Sequence, residues 1–159
     1  MSWKGAAHLH KDNFIFGGLY GFLAVIAMNV FQFPIWEMKV IAHPLAHYAS
    51  SLFMNVQPVH HSLVGAVIGS IANHIYGAFW GIVFVYLIHL TGMRYLLLKG
   101  LVFGAFLWMV SFGGIRSLPI VALREIVPGD VPYYLFFHLV YGLTLGWLVK
   151  RFGERTLGQ

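Results

Sequence analysis

The chain has 159 residues, of which 59% are hydrophobic and 9% are charged, whereas a soluble domain carries about 25% charged residues. This composition excludes an ordinary soluble domain, because so few charges cannot cover a water-facing surface, and it predicts a membrane protein. The absence of cysteine excludes disulfides, thiolate metal sites, iron–sulfur clusters and covalently attached c-type haem. The net charge of +5 lies at the ends of the apolar runs. It indicates membrane topology and contact with anionic lipid, not nucleic-acid binding.

Four apolar runs are long enough to cross the roughly 30 Å of hydrocarbon in a bilayer. They cover residues 13–34, 62–89, 95–113 and 131–150. The first run is too long for the apolar region of a cleavable signal, so we expect it to persist as a mature helix. The sequence therefore predicts an all-α fold, an integral membrane four-helix bundle in a single domain.

The two longer connections, near 35–61 and 114–130, are not featureless. Residues 43–55 mix apolar and polar side chains, and Pro44 suits the first turn of a helix. Such a segment is typical of the membrane interface. We predict a short interfacial helix between the first and second spans.

The lysines and arginines are divided unequally between the two sides of the membrane. The side with both termini and the 90–99 turn carries seven of them, and the opposite side carries three. By the positive-inside rule, both termini are expected in the cytoplasm, with the chain in a bacterial inner membrane.

Glycines recur at a four-residue spacing along the apolar runs. This spacing lets two helix backbones approach closely in lipid, where the hydrophobic effect gives helices no reason to associate. It predicts a tightly packed bundle. The pairs are Gly17/Gly21, Gly65/Gly69, Gly77/Gly81, Gly100/Gly104 and Gly142/Gly146.

The second and fourth spans share the pattern Tyr-Gly-x-x-x-Gly, with a histidine two or three residues before the tyrosine. The first and third spans share a weaker glycine pattern. Two interpretations stay open. In the first, the chain consists of two repeated helical hairpins related by an axis along the membrane normal. In the second, the shared patterns are a chance likeness between apolar helices that contain glycine.

The glycine-rich first span, the Gly-Leu-Val-Phe-Gly-Ala-Phe-Leu-Trp run at 100–108 and the Tyr-Gly-x-x-x-Gly of the last span resemble the small bacterial YqhR-like membrane proteins. The resemblance covers most of the chain and is carried mainly by packing glycines. It implies a four-span inner-membrane protein without established chemistry, and it assigns no role to His74 or His138.

His74 and His138 lie at similar depth within their spans, each on the glycine face of its helix. An ionisable side chain at membrane depth indicates a functional site. One interpretation is that the two imidazoles bind a b-type haem between them, or contact a quinone. The alternative is that each makes a hydrogen bond between helices worth about 0.6–2 kcal/mol, with Ser70 and Asn73 as candidate partners. Close glycine packing leaves little room for a porphyrin.

Four histidines cluster on the outer side of the membrane: His43, His47, His60 and His61. The four-residue spacing of the first two can present two imidazoles to one metal on a helix, and zinc and copper both accept imidazole. The alternative is that they are interfacial anchors. Because Pro44 makes His43 a candidate cap residue, the helical geometry of this pair is not assured.

No carboxylate lies inside a predicted span, and Ser111 and Ser117 have no histidine near them in the sequence. These patterns favour a non-catalytic accessory or scaffold subunit of a larger membrane complex, whose partners are the lipid bilayer and other membrane subunits or a second copy. The alternatives are a redox subunit that binds haem b or quinone through His74 and His138, and a small oligomeric transporter.

Overall fold

The computed structural model describes residues 12–54, 62–123 and 126–156. The α-helices of this part are labelled in chain order: α1 Asn13–Glu37, α2 Leu45–Ser50, α3 Leu63–Thr91, α4 Leu96–Trp108 and α5 Val131–Thr156. Helix α4 continues as a π-helix at Met109–Gly114 and a 3-10 turn at Ile115–Ser117. A second 3-10 turn, Pro128–Asp130, leads into α5.

Within these described residues, four helical segments are long and apolar enough to cross a membrane: Asn13–Glu37, Leu63–Thr91, Leu96–Ser117 and Pro128–Gly153. Their outward faces carry large apolar side chains, such as Ile26, Val30, Leu98 and Val102, which suit contact with lipid. The predicted all-α four-helix membrane bundle is confirmed, and the chain is a multi-pass membrane protein.

The helix ends follow local chemistry. The Asp12 carboxylate accepts hydrogen bonds from the first backbone amides of α1, and the Ser62 hydroxyl does the same for α3. Gly92 ends α3 with a φ of +79°, a conformation that glycine adopts without strain. The ammonium of Lys99 donates to the carbonyl oxygens of Thr91 and Gly92 at 2.9 and 2.8 Å. It thereby caps the carboxyl end of α3 and closes the turn to α4.

Glycines bring α1 and α3 into backbone contact. A methyl group added at Gly21 would overlap the carbonyl oxygen of Gly77, and one added at Gly81 would overlap the carbonyl oxygen of Gly17. Since Gly17 lies opposite Gly81 and Gly21 opposite Gly77, the two helices run antiparallel. They form the first helix pair, α1/α3.

The second helix pair, α4/α5, is built in the same way. Added methyl groups at Gly100 and Gly142 would each overlap the other residue's carbonyl oxygen, and one at Gly104 would overlap the carbonyl oxygen of His138. Contact between α1 and α5 joins the two pairs.

The remaining predicted packing glycines do not face a second glycine at their nearest contact. Gly146 is buried on α5, and a methyl group added there would meet the carbonyl oxygen of Leu96, at the start of α4. Gly65 and Gly69 are both buried on α3, but Gly69 lies against the backbone of α2 and not against another span. The four-residue spacing therefore indicates a close approach at Gly146 and Gly69 without indicating which backbone approaches.

Helices α3 and α4 meet through large side chains instead of through glycines. The Phe103 ring lies 6.0 Å from the Trp80 ring and 5.0 Å from the Phe84 ring, measured between centroids. If the two pairs were related by an exact twofold axis, the α3–α4 contact would be as close as the α1–α5 contact. The bundle departs from that symmetry on this side, and duplication of the hairpin stays a prediction.

The described part of the connection between α1 and α3, residues 38–54, folds back over the bundle. Helix α2 is shorter than the predicted 43–55 segment at both ends. Pro44 is its N-cap and not a residue of its first turn, and the helix ends at Ser50. It lies against α3, where a methyl group at Gly69 would overlap the carbonyl oxygen of Ala46. The buried side chain of Gln32 accepts a hydrogen bond from the Leu45 amide at 3.1 Å.

The neighbouring residues Gly18 and Gly21 offer a matched test of backbone packing. We expect Gly21→Ala to lower the free energy of unfolding by about 1–3 kcal/mol, because the methyl group must displace the backbone of α3. Gly18→Ala would meet only the flexible end of Ile82, at 3.8 Å, and is expected to change stability by less than about 1 kcal/mol. Unfolding in mixed micelles, followed by circular dichroism, measures both. An equal loss in the two variants would contradict this account of α1/α3.

Candidate functional site

A cavity of about 470 Å³ lies where α3 and α4 stand apart. Helix α5 contributes His138 and Tyr141 to its inner wall, α1 contributes Val25 and Met28, and α2 covers its outer end. We call this space the α3–α4 cavity. It lies within the part of the bundle that crosses the membrane.

The lining of the α3–α4 cavity is mostly apolar and rich in aromatic rings. The lining side chains Ile75 and Phe79 are 65% and 56% exposed on the surface of α3. The cavity therefore opens sideways toward lipid, so a molecule dissolved in the bilayer can enter it without crossing water. The aromatic lining residues are Tyr48, Phe53, Tyr76, Phe79, Trp80, Phe112 and Tyr141.

His138 is buried in the cavity wall, with 5% of its surface exposed. Its Nδ1 lies 2.7 Å from the carbonyl oxygen of Tyr134. A carbonyl oxygen can only accept, so Nδ1 carries the proton and the neutral ring keeps a lone pair on Nε2. Nothing in the described part of the chain donates a hydrogen bond to Nε2.

Asn73 lines the cavity from α3 and is 6% exposed. Its Nδ2 is buried and has no hydrogen-bond partner among the described residues. An unpaired buried amide costs about 1–3 kcal/mol relative to a paired one. This cost makes Asn73 a natural partner for an acceptor on a bound molecule.

Asn73 and His138 lie at a similar level along the bundle. Helices α3 and α5 run in the same direction, and the Tyr141 hydroxyl donates to the carbonyl oxygen of Gly77 at 2.7 Å. Asn73 precedes Gly77 by four residues and His138 precedes Tyr141 by three, about one helical turn in each case. An unpaired donor and an unpaired acceptor therefore line the cavity at one level.

The π-helix supplies the third wall at this level. Ser111 Oγ lies 3.0 Å from the Tyr76 hydroxyl, which bridges α4 and α3. The Phe112 ring stacks on Tyr134 with centroids 4.7 Å apart and meets the His138 ring edge-on at 5.9 Å. Single π turns inside α-helices are frequent at functional sites, and this one places two side chains in the cavity wall.

A buried polar cluster lies at the end of the cavity that α2 covers and holds the 38–54 segment in place. Asp130 is 4% exposed and accepts a hydrogen bond from the Ala42 amide at 2.9 Å. The Tyr134 hydroxyl donates to the His43 carbonyl oxygen at 2.9 Å and lies 3.4 Å from the Tyr48 hydroxyl. Burial raises the pKa of Tyr48, so its phenol stays protonated. These bonds hold the 38–54 segment over the bundle.

His74 does not line the α3–α4 cavity. Its ring lies 4.7 Å from the Phe22 ring of α1, and its Nδ1 bonds the backbone carbonyl oxygen of Ser70, not a side chain of Ser70 or Asn73. The structure thus separates His74 from His138, which sequence analysis grouped as a haem or quinone site. The glycine face of α3 packs on α1, whereas that of α5 packs on α4, so the two histidines have different neighbours.

Of the four outer histidines, His60 and His61 lie outside the described residues. The rings of His43 and His47 are 5.8 Å apart, and the buried His47 ring packs edge-on against Trp36 at 5.3 Å. Because His43 precedes the N-cap of α2, the two do not form a pair on one helical face. Within residues 12–54, 62–123 and 126–156, no three histidine, aspartate or glutamate side chains form a group that could hold a metal.

Sequence analysis did not identify the cavity or the roles of Tyr76 and Ser111. The isolated Asn73 in an apolar span was the available signal, because an amide in hydrocarbon needs a partner. Comparisons with protein-family models, curated proteins and solved structures gave no match. The resemblance to YqhR-like proteins stays a prediction.

Asp130 offers a test of the outer cluster. We expect Asp130→Ala to lower the free energy of unfolding by about 1–3 kcal/mol, because it leaves the Ala42 amide unpaired in a buried position. Asp130→Asn keeps a carbonyl oxygen as acceptor and should lose less. Thermal unfolding in detergent and the rate of proteolysis within residues 38–54 measure the effect. Equal stability of the two variants would contradict an anchoring role for this carboxylate.

Proposed function

We propose that the chain is a non-catalytic membrane protein that binds a lipophilic molecule with a planar, hydrogen-bonding head group, of the isoprenoid quinone class. The observation that carries this proposal is a laterally open apolar cavity with the unpaired polar atoms of His138 and Asn73 at one depth. Ligand sites are typically apolar, with a few polar groups that fix the orientation of the ligand.

The wall chemistry favours a ring over a plain acyl chain. Phe112, Tyr76 and Trp80 present aromatic surfaces to the cavity, and aromatic groups gain from stacked or edge-on contact with another ring. An acyl chain would leave the buried Asn73 amide without a hydrogen bond, at a cost of about 1–3 kcal/mol, and would offer no donor to His138. An apolar tail can leave between α3 and α4 beside Ile75 and Phe79.

A haem held between His74 and His138 is a poorer match to this geometry, since His74 lies on the far side of α3 from the cavity wall. We retain the quinone alternative on His138 alone. The small-transporter alternative has no observation of its own in its favour.

The accessory-subunit role belongs to the same proposal. A partner membrane subunit docked beside the opening between α3 and α4 would exchange the ligand with this chain. We also propose the bacterial inner membrane as its location, with both termini in the cytoplasm, because seven of ten lysines and arginines fall on that side. Co-purification from native membranes tests the first point, and labelling of single cysteines introduced into this cysteine-free chain tests the second.

The two histidines provide a matched pair for testing ligand binding. Each bonds the carbonyl oxygen four residues earlier at 2.7 Å, but only His138 lines the cavity. We expect wild-type protein purified in mild detergent to carry quinone at a quinone-to-phospholipid ratio well above that of the source membrane. His138→Leu should lose about tenfold in bound ligand, counted as quinone plus quinol, the equivalent of one hydrogen bond, whereas His74→Leu should retain it.

Solvent extraction followed by liquid chromatography and mass spectrometry measures this ratio. A wild-type ratio equal to that of the source membrane would overturn the proposal. An equal loss in the two histidine variants would show that the imidazole acts through helix stability and not through the cavity.

A further inference from the structure

We propose that the α3–α4 cavity selects the reduced, hydroxyl-bearing form of its ligand, a quinol, over the oxidised quinone. This inference rests on the proposed function and adds the redox state that the site recognises. It concerns binding alone and requires no electron transfer by this chain.

The first argument is the tautomer of His138. The bond from Nδ1 to the Tyr134 carbonyl oxygen fixes the proton on Nδ1, so Nε2 can only accept while the ring is neutral. A quinol hydroxyl donates to such a nitrogen. A quinone oxygen has no proton and would place its lone pair against the lone pair of Nε2.

Protonation of His138 does not rescue the quinone at low cost. An imidazolium could donate to a quinone oxygen, but it would place a positive charge on a residue that is 5% exposed, in a cavity whose lining is mostly apolar and aromatic and already includes the cationic Arg116. Burying a charge without a counter-charge is far more costly than burying a neutral ring. No carboxylate of the described residues is among the side chains that line the cavity.

The second argument is the hydrogen-bond donor that α3 contributes to the cavity. The Asn73 amide offers hydrogen atoms to an oxygen at the same level as His138. A quinol offers a hydroxyl oxygen that can accept from Asn73 and a hydroxyl proton that can be donated to His138, so it satisfies both residues. Tyr76 and Ser111 bond each other through hydroxyls that can donate or accept, so they do not distinguish the two redox forms.

The test uses three ligands that share one ring and one decyl chain: a benzoquinone, its hydroquinone and the dimethyl ether of that hydroquinone. The ether keeps the acceptor oxygens and loses the donated protons. Isothermal titration calorimetry of the full-length protein in detergent under anaerobic conditions gives the affinity of each. We expect the hydroquinone to bind at least tenfold more tightly than either of the other two.

Variants assign the preference to one atom. His138→Leu should reduce the ratio of hydroquinone to quinone affinity to near one, and His138→Gln, whose amide can donate or accept, should reduce it in part. His74→Leu is the matched control and should keep the wild-type ratio. Helix content by circular dichroism shows that each variant is folded, and His138→Gln carries the test if the leucine variant does not fold.

Two outcomes would overturn this inference, and they are distinguishable. If quinone binds as tightly as hydroquinone at one site per chain, the redox preference is wrong and the proposed function stands. If no ligand binds beyond its partition into detergent, the proposed function and the inference both fail.

Discussion

Backbone contact at glycines is the constraint on which the rest of this structure depends. In lipid, apolar side chains gain nothing by leaving their surroundings, so helices associate through close packing and hydrogen bonds. Gly21 against Gly77 joins α1 to α3, and Gly100 against Gly142 joins α4 to α5. Each pair is therefore fixed by surfaces on which a single methyl group does not fit.

The cavity is a consequence of this pairing. Helix α3 presents glycines to α1, and it presents Tyr76 and Trp80, the residues just before Gly77 and Gly81, toward α4. Adjacent residues point about 100° apart on a helix, so a small-residue face and an aromatic face lie side by side. The aromatic face cannot approach α4 closely, and the space between these two helices remains open to lipid.

The sequence predicted the features that depend on composition and periodicity. The four spans follow from apolar length, and the all-α bundle follows from them. The function of individual side chains depended on which helices become neighbours. His74 and His138 each lie on the glycine face of their own helix, and each bonds the carbonyl oxygen four residues earlier. Nevertheless, His74 contacts Phe22, whereas His138 lines the cavity. No pattern within a single helix distinguishes these outcomes.

The π-helix and the packing of the 38–54 segment could not be predicted from the sequence for similar reasons. Gly113 and Gly114 indicate that the helix ends. They do not indicate that it first becomes a π-helix, which places Ser111 opposite Tyr76. Asp130 lies outside the predicted spans, and its bond to the Ala42 amide joins residues 88 positions apart. Long-range pairing of this kind is set by the assembled bundle, not by local preference.

The central claim is that a ring-headed lipid occupies the space between α3 and α4. Photo-crosslinking of the protein in native-like bilayers with an azido-substituted quinol, followed by peptide mass spectrometry, tests it most directly. The account predicts crosslinks concentrated on residues 72–80, 111–116 and 138–141, and competition by unlabelled quinol. Crosslinks spread along the lipid-facing side chains of α1, such as Ile26 and Val30, without competition, would contradict it.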